Sequence, residues 1–99
     1  MIIWRNTILK DALHIKTRIA DICAEPVYND REMIQISQAK QNTLLWIYNA
    51  GNLRTEKELT YRINRLKEEI MGYELANVSG FPIKLLKTQI KEVENILYD

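Results

Sequence analysis

The sequence predicts an all-α protein, a small helical bundle of four helical segments joined as helical hairpins with coiled-coil-like packing. Apolar residues recur every three or four positions along most of the chain, which is the helical period. Pro26, Gly51 and the Gly80/Pro82 pair cut that pattern into four pieces. The 99 residues, 46% hydrophobic, are enough for one domain over 1–99 and too few for two.

The first segment is expected over about residues 4–24, where Ile8, Ala12, Ile15, Ile19 and Ile22 step by helical intervals. Leu9, Leu13 and Ala20 widen the stripe to roughly half the circumference, which suits packing against two neighbours. Asp11, His14, Arg18, Asp21 and Glu25 are assigned to the opposite, charged side, and Cys23 to the apolar arc as a small core residue. The second segment starts after Asn29, which with Glu32 reads as a capping box. It ends at Gly51, read as a left-handed C-cap. Gln35, Gln38, Gln41 and Asn42 form a polar flank on it. Residues 44–48 are apolar all round and fit a strand if read alone; segment length and flanking caps favour helix.

The third segment opens at Thr55, whose hydroxyl and Glu58 make the best capping box in the chain. Leu59, Ile63, Leu66, Ile70 and Tyr73 define a narrow seam. Glu58 with Arg62, and Arg65 with Glu69, are spaced to pair four apart. The fourth segment begins near Pro82, a favoured first helical position. Ile83, Leu86, Ile90, Val93 and Leu97 form its stripe, extended by Leu85 and Ile96. Short joints make consecutive helices antiparallel. Lys16 and Lys40 sit near the middle of apolar arcs and are read as aliphatic stems with outward-reaching ammonium groups.

Most site chemistries find no support. Catalysis needs converging groups, and the lone His14 and lone Cys23 are nine positions apart on nearly opposite helix faces. One His and one Cys cannot make a zinc site, and the Glu-x-x-His pattern of di-iron bundles is absent. The three glycines are isolated, so no phosphate-cradling loop exists. Glu68 and Glu69 point about 100° apart and do not converge. The expected protein is therefore not an enzyme and carries no metal or cofactor. No run long enough for a membrane span occurs. The opening Met1-Ile2-Ile3-Trp4-Arg5 lacks the apolar core of a signal peptide, so a cytoplasmic location is expected, with the thiol reduced.

An interaction role survives. The apolar stripes exceed what four short helices hide in one private core, so homo-oligomers are expected. Lys84, Lys87 and Lys91 lie within about 60° of one another, a like-charge ridge that is either a solvated helix face or the seat of an anion or acidic partner. Trp and Tyr are favoured at binding hot spots. Trp4 and Tyr61 are the aromatic contact candidates, whereas Trp46 and Tyr73 are assigned to the core. Tyr61, Met71 and Leu75 occupy the far side of the third segment and either need a second neighbour or lie exposed. Ile, Asn, Lys and Tyr supply 35 residues against 17 for Ala, Gly, Pro and Arg, the bias of an AT-rich genome such as many phages have.

The expected function is a self-associating protein–protein interaction module, a phage or mobile-element regulator or inhibitor of a host or defence protein. The alternative is a helix-turn-helix nucleic-acid binder using Arg54, Lys57, Arg62 and Arg65, a stretch of local charge +3 after a Gly-containing turn. A net charge of only +1 disfavours it, because phosphate contact drives nucleic-acid affinity. A structural component of a larger assembly is the second alternative.

Overall fold

The computed structural model describes residues 12–26, 30–49 and 51–97. Four helices carry the fold: α1 (Ala12–Ala24), α2 (Arg31–Ile47), α3 (Glu56–Leu75) and α4 (Phe81–Leu97). Between α2 and α3 lies a minimal antiparallel pair, β1 (Tyr48–Asn49) and β2 (Asn52–Leu53), with Tyr48 opposite Leu53 and Asn49 opposite Asn52. The all-α prediction holds, with this small hairpin added. Trp4, Ile8, Leu9 and Asp11 lie outside the described residues, as does Asn29.

The helix boundaries follow local chemistry. Asp30, not Asn29, caps α2: its carboxylate accepts from the backbone N–H of Glu32 (2.9 Å) and Met33 (3.3 Å). Asp30 adopts the extended conformation that a capping residue needs, at φ −86° and ψ 113°. Gly51 does not cap α2. The helix stops at Ile47, and Gly51, at φ +81°, serves the hairpin turn, where a side chain would be strained. The Arg54 N–H returns to the Ile47 carbonyl at 2.8 Å and closes this corner. The apolar run 44–48 is thus helix up to Ile47 and strand from Tyr48.

The capping box of α3 forms as expected. The Glu58 N–H donates to Thr55 Oγ1 (3.2 Å), and the Thr55 N–H donates to Glu58 Oε1 (2.9 Å). The other end of α3 is a Schellman motif: the Val78 N–H reaches the Tyr73 carbonyl at 2.8 Å and the Asn77 N–H reaches that of Glu74 at 3.1 Å. Asn77 supplies the left-handed residue at φ +60°.

One connected core joins the helices. It comprises Ile15 and Ile22 of α1, Leu44 and Ile47 of α2, Leu59, Ile63 and Leu66 of α3, and Leu86, Ile90, Val93, Ile96 and Leu97 of α4. The α4 helix packs against both α2 and α3, while α1 packs on α2. Burying each of these side chains favours folding by about 1.5–3 kcal/mol, so α4 contributes the largest share. Leu13 and Ala20 do not widen the α1 stripe: both are exposed, on the side of the helix away from Ile15 and Ile22. Cys23 is also exposed rather than in the core.

Arg18 departs from its expected place as well. It lies only about 60° around the helix from Ile15, at the rim of the buried stripe. From there it makes a two-pronged ion pair with Glu92 of α4: Nη2 to Oε2 at 2.9 Å and Nε to Oε1 at 3.3 Å. Glu92 is buried, at 2% exposure. Its hydrogen bond and charge raise the Arg18 pKa further, against the opposing effect of burial. The pair ties the first helix to the central one. Arg18→Met leaves Glu92 without its partner and lowers the unfolding free energy by about 2 kcal/mol, less than for a fully buried pair because Arg18 is half-exposed. Urea denaturation reads this, and adding Glu92→Leu restores most of the loss.

The Thr55 N–H, followed by the Arg54 guanidinium, holds the Glu58 carboxyl below the usual range. A depressed folded-state pKa contributes stability above the unfolded-state pKa, and that contribution is lost as pH falls through the folded value. The Thr55 amide proton is therefore expected to lose exchange protection as Glu58 protonates, below the pH at which an ordinary Glu titrates; amide NMR over an acid titration checks this.

Candidate functional site

Two surfaces collect the residues singled out by sequence. The first surrounds the far end of α3. Its seam is buried at Leu59, Ile63 and Leu66 and half-buried at Ile70, and then runs out. Every residue from 71 to 80 is exposed. Tyr73 belongs to this exposed stretch and not to the core, because the last turn of α3 extends past the buried seam. Met71 is 59% exposed and Leu75, one turn on, is 84% exposed; Val78 continues the apolar surface. Tyr61 is 65% exposed two to three turns earlier and lies within about 80° of Met71 and Leu75 on the helix circumference.

Beside this stretch runs an open groove of about 800 Å³ between the α3–α4 loop and α4. Lys84, Lys87 and Lys91 line one wall, Glu74 and Asn77 approach from the other side, and Val78 and Ile83 provide apolar lining. The three lysines form no ion pair among the described residues, and Glu74 is the only acidic group in the groove. The ridge expected from helical spacing is thus a real wall of a real groove, with net positive charge. Trp4, the remaining contact candidate, lies outside the described residues.

The second surface centres on Trp46. Its ring receives the Arg54 guanidinium 4.6 Å from the centroid and that of Arg62 at 5.4 Å. Arg54 also donates from Nε to the Trp46 carbonyl (2.9 Å) and pairs with Glu58 at 3.3 Å. Glu58 therefore pairs with Arg54 and not with Arg62, as spacing alone suggested, since the hairpin brings Trp46 within reach of Arg62. Arg65 meets Glu68 at 3.8 Å rather than Glu69. Trp46 is only partly buried, packed against the core rather than inside it. Lys16 is exposed, with its ammonium 5.5 Å from the Tyr48 ring centroid.

The four residues of the helix-turn-helix alternative do not assemble as one recognition face, although Arg54 and Arg62 meet at the Trp46 ring. Arg54 precedes α3 and is engaged with Trp46 and Glu58. Lys57 and Arg62 stand about 140° apart on α3. The joint before α3 is a hairpin, not the short turn of that motif.

Among the described residues, no three His, Cys, Asp or Glu side chains gather as metal ligands, and no helix is long and apolar enough to cross a membrane. No family model, curated protein or solved structure matches the chain.

The hydrogen bonds and stacking of Arg54 were missed by sequence reasoning, which treated it as a free cation. Arg54→Ala is expected to destabilise the fold by about 1–2 kcal/mol through loss of the carbonyl hydrogen bond and the cation–π contact. Arg65→Ala, which breaks only an exposed pair, stays within about 0.5 kcal/mol of wild type. Chemical denaturation of both variants checks the difference.

Proposed function

We propose that the chain is a non-enzymatic protein–protein interaction module that self-associates and acts as a regulator or inhibitor of a host or defence protein. The observation that carries this reading is the unpartnered end of α3. Met71 and Leu75, one turn apart on one side of α3, are exposed, as are Tyr73 on the opposite side and Val78, which lines a groove walled by three lysines that form no ion pair among the described residues. Isolated exposed apolar residues are ordinary, whereas a cluster rimmed by charge is what association surfaces present. Apolar residues supply the contact, and the ridge selects an acidic partner surface through electrostatic complementarity. The AT-rich residue bias supports an origin in a phage or mobile element, and the cytoplasm is the compartment that suits an exposed free thiol.

Sedimentation velocity tests the self-association. Wild-type protein is expected to sediment as a dimer or larger species at about 100 μM, a concentration that reports even contacts of micromolar affinity. Met71→Glu with Leu75→Glu is expected to yield a monomer with an unchanged helical spectrum. A wild-type monomer throughout would remove self-association from the reading. For the partner, capture from lysate should be lost with Lys84→Glu, Lys87→Glu and Lys91→Glu combined; capture that survives this charge reversal contradicts the role of the ridge.

A further inference from the structure

The Trp46 surface has features that neither folding nor the α3 docking face uses. Two grooves, of about 380 and 430 Å³, both have Trp46 and Asn42 in their walls. Arg62 lines the first and Arg54 the second, and no acidic residue lines either. Gln35, Gln38, Asn42 and Trp46 recur at helical spacing along α2, so the amides form one row leading to the ring. Gln89 of α4 faces the same groove.

The Arg62 guanidinium is positioned, and the exposed amides beside it have no side-chain partner among the described residues. The Arg62 guanidinium is held over the Trp46 ring, and its N–H groups meet no carboxylate among the described residues. None of the four amides forms a side-chain hydrogen bond to another described residue; the one amide bond on this helix belongs to Gln41, which donates to Ser37 at 3.2 Å. Stacking on an aromatic ring restricts the guanidinium without consuming its donors, so less entropy is lost when it grips an anion. A guanidinium fork matches phosphate oxygens. Side-chain amides offer a donor and an acceptor side by side, the pattern that base edges complement. Grooves of this size fall in the range that holds small organic ligands.

We propose that the Trp46 grooves bind a nucleotide, with Arg62 on the phosphate and the Gln35/Gln38/Asn42 row on the base edge. The nucleotide is either free or part of a single strand. This site is independent of the α3 surface and of the helix-turn-helix geometry.

The chain has two tryptophans, so Trp4→Phe leaves Trp46 as the sole tryptophan, which is read by exciting at the red edge where the tyrosines do not absorb. That variant is titrated with adenosine monophosphate, with a single-stranded oligonucleotide of about eight bases, with inorganic phosphate, and with a short oligoglutamate peptide. The side-chain amide signals of Asn42 and Gln35 are followed in parallel by NMR, so that binding which leaves the fluorescence unchanged is also seen. Saturable changes at or below about 1 mM are expected with one or both nucleotide probes. A mononucleotide response equal to the oligonucleotide's identifies a free nucleotide as the ligand, and a markedly tighter oligonucleotide identifies a strand; either supports the site. Arg62→Gln should weaken the affinity by about tenfold, through loss of the bidentate phosphate contact. Three results overturn the proposal: no saturable response to either nucleotide probe, equal affinity for inorganic phosphate or oligoglutamate, or unchanged affinity in Arg62→Gln.

Discussion

The constraint on which the rest of the structure depends is that α4 has two apolar neighbours to satisfy. Leu86, Ile90, Val93, Ile96 and Leu97 place on this one helix five of the twelve hydrophobic residues buried among those described. A stripe that wide cannot be covered by one neighbour, so α2 and α3 both dock on it. The hairpin Tyr48–Leu53 then spans the gap between two helices that meet chiefly through a third. Glu92 adds a polar contact at the rim of the same helix, where Arg18 of α1 closes on it. A buried carboxylate is tolerated there because the guanidinium grips both of its oxygens.

Because α4 sets the extent of the core, it also decides what stays outside. The seam of α3 is in register with it from Leu59 to Leu66, and Ile70 is the last residue to be partly covered. Beyond that point α3 continues for more than a turn and ends in a hydrogen-bonded Schellman cap rather than in frayed backbone. Its exposed apolar residues are therefore displayed on ordered helix. Such a surface loses little conformational entropy on docking, which favours its use as a contact element.

Much of this was legible in the sequence. Helical spacing located all four helices and the buried stripes of α3 and α4, and Thr55 with Glu58 marked the start of α3 correctly. The lysine ridge follows from the spacing of Lys84, Lys87 and Lys91 alone. What was not legible depends on contacts between distant positions. Arg18 and Glu92 are 74 residues apart, and nothing local distinguishes a rim arginine from a solvated one. Arg62 has a partner four residues away in Glu58, but it lies over Trp46 because the hairpin folds that ring within reach. The hairpin itself rests on two residue pairs, too few to leave a period-two pattern. Tyr73 continues the seam in sequence but not in space, since the helical period does not reveal where the covering helix stops.

The most direct test is hydrogen exchange followed by mass spectrometry over a range of protein concentrations. The structure places the α4 segment 86–97 in the most protected class at every concentration, since opening it opens the core. Residues 71–80 should exchange faster than α4 in dilute protein, since no other element packs over them, and under the proposed self-association should gain protection as concentration rises. Protection in 71–80 that equals that of α4 in dilute protein, or that stays low and unchanged at high concentration, would contradict the account.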